Sequence, residues 1–497
     1  MGTDTSALRR LQPTFWLSLI LLLGFSLRLI ELGHDSLWND EVGVALAARA
    51  GSFSEMLRAA HNHVMAMPLD YAIVWLFARL NTSETFLRLP AAIWGSLSIV
   101  VAYGFFSRLS GRRVGLLSAL LLALSPFHVQ YSQELRFYAS LVFFFLAASW
   151  ALFKAIDEPS PAHWLIFTLV AVLGLFFHIY VLLVLVSGVV WLAIGAWNDG
   201  QTPARRMGFL RASAALLVAF LIGVVYFGAV YSYDIPLVLE DPSLLAVIAT
   251  GLGWTPFYPS STGISLAWGL ACLVLEIVGI GLFLIRRPRS AASAMFYGLL
   301  LQIGAIVAMN ALKHYFIAPR QMIPFLPVLL FFAAYALDRL ITRVESALRA
   351  PRSSGLHAEL SILPTAVAIL LISALSLPAL RDYYRGDKGE AREIGEFLLK
   401  NAHPADTILV IPDFESQMID YYLDDLSGSQ ASAYQVYGAA WDQLSSLKSG
   451  PGKRFLVSNQ TLPHQESQLA ESLGYRPAFQ PAGESRYART VWVQENR

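Results

Sequence analysis

WLIFTLVAVLGLFFHIYVLLVLVSGVVWLAIGAW, residues 164–197, contains no Lys, Arg, Asp or Glu. As one helix it would extend about 50 Å, at about 1.5 Å per residue. A single crossing of the hydrocarbon core takes about 30 Å. The stretch therefore predicts two spanning helices, 163–178 and 180–197, that turn near His178 and Tyr180. Similar apolar runs lie at 14–31, 89–107, 114–127, 138–156, 212–231, 263–285, 292–311, 321–341 and 361–380. Together they predict an α-helical polytopic membrane protein with about eleven transmembrane helices.

Composition agrees. The chain is 56% hydrophobic and 14% charged, where soluble domains carry about 25% charged residues. The net charge is +1, without the Lys/Arg clusters of a nucleic-acid binder. Cys272 is the only cysteine, so no disulfide forms within the chain. The run from Phe15 follows Arg9 and Arg10, and no small-residue cleavage pattern follows it. It is expected to stay as the first helix.

Orientation follows the Lys and Arg of short loops. Arg9, Arg10, Arg108, Arg112, Arg113, Lys154, Arg205, Arg206, Arg211, Arg286, Arg287, Arg289, Arg339, Arg343, Arg349 and Arg352 fall on one side, which is then cytoplasmic. The other side offers only Arg136, Lys313 and Arg320. Residues 68–80 cover only about 20 Å as helix and are expected to lie in the interface. The first external segment then runs from about 32 to 87 and carries Trp38, Asp40, Glu41, His61, His63 and Asp70. Hydropathy falls after Leu380. An amphipathic helix at 388–400 and short strands at 407–411 and 454–457, with helical pieces between and two later strands, predict a small extracytoplasmic α/β domain over 381–497, distinct from the membrane domain of 1–380.

Asp40, in Leu37-Trp38-Asn39-Asp40-Glu41, stands about nine residues past the first helix, close to the outer membrane surface. There it can take a proton from a hydroxyl or amine that attacks a lipid-linked substrate. Its other reading is the N-cap of the following helix, a place that favours Asp. Glu41 can orient Asp40 or bind a cation, or serve the helix dipole from the first turn. Arg136 lies in Tyr131-Ser132-Gln133-Glu134-Leu135-Arg136-Phe137-Tyr138, suited to holding phosphate through paired donors or to pairing with Glu134. Lys313, His314, Tyr315 and Arg320 form a second external group, suited to an anionic ligand or to anchoring at lipid headgroups. His61 and His63 sit two apart and face opposite ways in an extended chain, so a divalent metal shared with Asp40 or Glu41 is one option only. Tyr421 and Tyr422 can contact an acceptor or simply pack. No Gly-rich nucleotide loop, cysteine pair or His-Glu-x-x-His motif is present.

The ordered motifs carry a resemblance. They are Leu37-Trp38-Asn39-Asp40-Glu41, Pro68-Leu69-Asp70-Tyr71, Leu87-Arg88-Leu89-Pro90-Ala91, Arg108-Leu109-Ser110-Gly111-Arg112-Arg113, Leu124-Ser125-Pro126 and the segment Tyr131 to Ala139. This order resembles the GT-C membrane glycosyltransferases, in the branch of protein O-mannosyltransferases and aminoarabinose transferases (family 39 and its relatives). The detailed likeness covers about 35 to 140, and the rest agrees in architecture. It implies transfer of a sugar from a polyprenyl-phosphate donor to a lipid, glycan or protein acceptor at the external face. Asp40 would then be the catalytic carboxylate with Glu41 beside it. Arg136 and Arg320 would bind donor phosphate, with Lys313, His314 and Tyr138 near them. Glu134, Asp70, His63 and Tyr71 would support the acceptor side. Relatives commonly read His-Pro-Pro-Leu-Tyr-Tyr where this chain has Ala66-Met67-Pro68-Leu69-Asp70-Tyr71. The usual histidine is missing there, so its own role or metal contact does not carry over to His61 or His63, and Asp70 is the unexpected carboxylate that would shape acceptor choice. The expected setting is a bacterial inner membrane, N-terminus inside and C-terminal domain outside.

A multi-spanning transporter or flippase of a lipid-linked or small substrate is the alternative. Transporters, however, show repeated halves and mid-membrane charges, and here the charges sit in loops with no repeat visible. A non-catalytic assembly factor that binds through its C-terminal domain is a second alternative.

Overall fold

The computed structural model describes residues 5–61, 67–197, 203–227, 244–255, 263–313, 318–348, 363–385, 390–428, 434–444, 452–459, 464–481 and 489–494. Each apolar run read from the sequence is mostly helical over its described residues, with breaks at Ser125 and at 176–178. Seven helices there are long and apolar enough to cross a membrane by length and composition, and shorter apolar helices include Pro13–Leu29, Pro68–Ala78, Pro161–Leu175 and Ile179–Ile194. Their outer faces expose Leu165, Leu169, Leu217, Ile222, Leu270, Ile277 and Leu370, the side chains a bilayer rather than water would cover. Helix Leu326–Leu348 threads the interior, with Phe331 to Ala334 fully buried.

The 164–197 run breaks where expected. Helix Pro161–Leu175 ends at Phe176, and His178 turns extended. The His178 Nδ1 accepts the Tyr180 N–H at 3.1 Å and starts a 3-10 turn, Ile179–Leu183. Helix Val184–Trp197 follows. A second turn depends on glycine: Gly111, at φ 94°, links helix Glu84–Ser110 to helix Arg112–Leu124, a left-handed conformation that side chains disfavour. At that end of the bundle Arg113 pairs with Asp338 and Glu345, and Arg108 with Glu158.

At the opposite end the segment after the first helix folds into three short helices, Asn39–Ala48, Phe53–His61 and Pro68–Ala78. The C-terminal part is a five-stranded sheet in the order β2-β1-β3-β5-β4. Its strands are β1 (Thr407–Ile411), β2 (Gln435–Gly438), β3 (Arg454–Asn459), β4 (Arg476–Phe479) and β5 (Arg489–Gln494). β1 runs parallel to β2 and β3, with Ile408 beside Phe455, and β5 runs antiparallel to β3 and β4. Helices Ala391–Asn401 and Ser416–Ser427 pack together beside it. Sequence reading gave β1, β3 and two later strands but placed helix where β2 lies. β2 is a mostly exposed edge strand, so it lacks the alternation that announces a half-buried strand.

The sheet domain does not stand apart. Leu37, Val42, Met56, Tyr71 and Val74 of the first segment share one apolar core with Ile394, Leu398, Tyr422 and Phe455. Tyr421 and Tyr422 are buried there, in keeping with packing, the safer of the two readings for them.

Candidate active site

Helix Asn39–Ala48 begins one residue after Trp38, which occupies the cap position with extended backbone. Asp40 is therefore not the cap, correcting that reading, and its carboxylate is not consumed by the helix's own amides. Glu41 supplies the first-turn contact instead, its Oε2 accepting the Trp38 N–H at 3.3 Å. Glu41 is fully buried and bound bidentately by Arg88, at 2.9 Å from Nε and 2.6 Å from Nη2. Its Oε1 also accepts the Leu135 N–H at 2.6 Å. Glu41 thus ties three pieces of chain together and has no face toward a substrate. Its contribution is to hold Asp40 and the Arg136 loop.

Asp40 meets two arginines that are remote in sequence. Its Oδ2 lies 3.5 Å from Arg320 Nη2 and 4.0 Å from Arg136 Nη2. The Arg136 Nη1 also donates to the Asp40 carbonyl at 3.2 Å. Asp40 and Arg320 are 27% and 28% exposed, whereas Arg136 is 7% exposed. One guanidinium is thus a buried wall, while the acid and the other guanidinium open outward. The Arg136 Nε, though buried, has no hydrogen-bond partner among the described residues, a donor left over for a ligand. Arg136 sits over the Phe137 ring at 4.8 Å and Arg320 over the Trp38 ring at 5.6 Å. Aromatic faces favour such placement of a guanidinium.

Arg320 is carried by the 3-10 turn Pro319–Phe325, which leads into the buried helix Leu326–Leu348. Helix Leu244–Gly251 presses on this turn: a Cβ added to Gly251 would stand 2.4 Å from the Pro319 carbonyl oxygen. Tyr138 is buried within electrostatic reach of both guanidiniums. Tyr71 lies in hydrogen-bonding range of Arg136, and burial raises its hydroxyl's pKa. Asp70 is buried beside Arg136, and its Oδ2 has no hydrogen-bond partner among the described residues. Burial pushes its pKa up to about 7, with Arg136 opposing. Glu134 is buried, its Oε1 accepting from Gln130 Nε2 at 3.3 Å. The Lys313 side chain, His314 and His63 lie outside the described residues. Among the described residues no three His, Cys, Asp or Glu gather closely enough to hold a metal ion.

Residues 66–226 match the model of the family described as dolichyl-phosphate-mannose-protein mannosyltransferase. The whole fold is similar to the Cupriavidus metallidurans ArnT bound to undecaprenyl phosphate, with TM-score 0.56, 14% identity, and 97% of this chain and 98% of that one covered. The chain has the fold of the GT-C glycosyltransferases. The GT-C chain is likewise similar to the Archaeoglobus fulgidus oligosaccharyltransferase AglB in complex with an inhibitory peptide and a dolichol-phosphate, with TM-score 0.55, 13% identity, and 91% and 70% coverage. Among curated proteins none matches it by sequence.

Two residues of the candidate site escaped sequence reading. Arg88 was visible only as part of a motif, yet it holds Glu41 and donates to the carbonyls of Leu32, Asp35 and Ser36 at 3.2, 2.8 and 3.0 Å. An arginine at the edge of an apolar run needs a partner once it is buried, and that is the signal that could have found it. His178, read only as a turn, stacks 4.6 Å from the Phe137 ring within reach of Arg136.

Proposed function

We propose that this chain transfers a sugar from a polyprenyl-phosphate-linked donor to an envelope acceptor (lipid, glycan or protein) at the extracytoplasmic face, with Asp40 as general base. The observation that carries this reading is the meeting of Asp40 with Arg136 and Arg320 at one partly exposed site. Two guanidiniums fixed by aromatic faces and buried stems are suited to grip a phosphate. Arg136 and Arg320 stabilise the charge that grows on the departing polyprenyl phosphate. When the donor's phosphate takes these guanidiniums, it competes with the Asp40 carboxylate for them and frees it. Asp40 then accepts the proton of the attacking hydroxyl or amine. The bond to the anomeric carbon forms as the bond from that carbon to the phosphate oxygen breaks. The phosphate leaves as an anion, and no acid is needed. The similarity to a transferase bound to undecaprenyl phosphate supports the donor class.

The test compares envelope lipids, glycans and proteins by mass spectrometry with and without the gene, then with the gene carrying Asp40→Asn. One sugar mass should vanish without the gene, return with the natural protein and stay absent with D40N made at normal level. Full restoration by D40N would refute Asp40 as the base. Movement of a lipid-linked sugar across proteoliposomes with no covalent product would favour the transporter instead.

A further inference from the structure

The chain that delivers Asp40 is held at successive positions. Arg88 takes the carbonyls of Asp35 and Ser36 at 2.8 and 3.0 Å. The Ser36 Oγ accepts the Arg392 N–H at 3.0 Å. The Tyr422 hydroxyl accepts the Leu37 N–H at 2.5 Å. Trp38 is fixed by Glu41. Two of these anchors, Arg392 and Tyr422, come from the sheet domain, the first partly exposed and the second buried. Tyr422 is buried, and its hydroxyl also donates to Glu84 Oε1 at 2.5 Å. Arg392 makes an ion pair with the same Glu84, at the start of helix Glu84–Ser110. Burial raises the Tyr422 pKa, so the hydroxyl stays protonated and can accept and donate at once.

From this we infer that Tyr422 is a positioning residue: the sheet domain, through its hydroxyl, sets the Leu37-Trp38-Asn39-Asp40 backbone and with it the distance from Asp40 to Arg320. The inference rests on the proposed role of Asp40. The reasoning is geometric. Leu37 lies three residues before Asp40, and Trp38 between them carries the ring under Arg320. Releasing the Leu37 N–H leaves a buried donor unmatched, and the strand relaxes toward another partner. The Trp38 ring and the Asp40 carboxylate move with it. Arg136 belongs to a different segment and keeps the Phe137 ring and the buried stem that place it, so donor binding falls severalfold at most while proton abstraction is misaligned.

The experiment uses the full chain in lipid nanodiscs and in cells, with Tyr422→Phe against Tyr421→Phe. Tyr421 is its neighbour in the same core, packed under Arg49 with 4.0 Å between guanidinium carbon and ring centroid. Expected for Y422F are at least tenfold faster amide exchange over 37–41, binding of undecaprenyl phosphate weakened severalfold at most, and at least tenfold less sugar mass added to the envelope. Y421F should match the natural protein in all three. Unchanged exchange over 37–41 in Y422F overturns the inference. So does loss of undecaprenyl phosphate binding in parallel with transfer, and so does an equal loss in Y421F. If Y422F does not fold, Ser36→Ala, which removes the neighbouring anchor from the loop side, carries the same three readings. Should the natural protein neither bind undecaprenyl phosphate nor add a sugar, the proposed function fails, and the exchange result alone decides the clamp.

Discussion

At the residue scale, what separates Asp40 from the other carboxylates of the site is its surroundings. Glu41 is spent on Arg88, whereas Asp40 faces two guanidiniums and solvent. Arg136→Ala should therefore weaken undecaprenyl phosphate binding ten- to hundredfold, the range given by about 1.5–3 kcal/mol for a hydrogen bond to a charged group. Arg136→Lys should recover only part, because an ammonium keeps the charge but loses the planar fork. Titrated binding of the three proteins measures this, and equal affinities would remove Arg136 from the phosphate site. Asp70 makes a different prediction. Its pKa is raised to about 7 in the fold by burial, with Arg136 pulling the other way, from an unfolded value of about 3.9. The folded state therefore binds the extra proton. Stability is full below about pH 4 and falls as pH rises to about 7, on the order of a few kcal/mol at about 1.36 kcal/mol per unit. Asp70→Asn cannot ionise, so its unfolding temperature should equal that of the natural protein near pH 4 and exceed it above 7. Parallel curves across that interval would mean that Asp70 is not the group held neutral.

At the element scale the first segment is fixed by one buried ion pair and by a close approach of helices. Removing one partner of a buried pair costs about 3–5 kcal/mol, while replacing both with apolar residues is often neutral or better. Glu41→Gln should thus lower the unfolding temperature sharply. Glu41→Leu with Arg88→Met should restore much of it without restoring transfer, since the loop carbonyls that Arg88 holds remain free. Transfer at the natural rate by the double variant would show that Asp40 needs no such support. Gly251→Ala tests the other side of the site. Its Cβ would press on the Pro319 carbonyl and on Met322 Cβ, 2.7 Å away, and neither can swing aside as a side-chain tip can. The Arg320 turn should shift, and donor affinity should fall severalfold with the fold retained, as seen in a binding titration. These elements also mark what could be read from sequence. The break at His178 was legible because length alone forbids one helix through 164–197. Asp40, Arg136 and Arg320 were legible as charges out of place among apolar runs. The Glu41–Arg88 pair was not, because the two lie in separate segments and only folding shows that their charges cancel. Strand β2 was hidden because an exposed edge strand needs no apolar pattern.

At the scale of the whole molecule, one end of the bundle gathers arginines in acid-paired clusters around Arg113 and Arg108. The other end gathers Asp40, Arg136, Arg320 and the sheet domain, which shares its core with the first segment. Positive charge is retained on the cytoplasmic side of membrane proteins, so the site and the sheet domain should both face outward. A polyprenyl-phosphate sugar would then react where its headgroup sits, at the outer interface. The natural chain is suited to a direct test, because Cys272 is its only cysteine and is buried. Ala405→Cys places a thiol on an exposed turn before β1, and Arg287→Cys places one after helix Gly263–Arg286 at the arginine-rich end. A membrane-impermeant maleimide added to intact cells (spheroplasts, where an outer membrane intervenes) should label A405C at once and R287C only after the inner membrane is opened. The reverse order would turn the chain over and put Asp40 on the cytoplasmic face. Equal labelling of both before opening would mean that the helix run between them does not separate two compartments, and the membrane reading of the fold would fail with it.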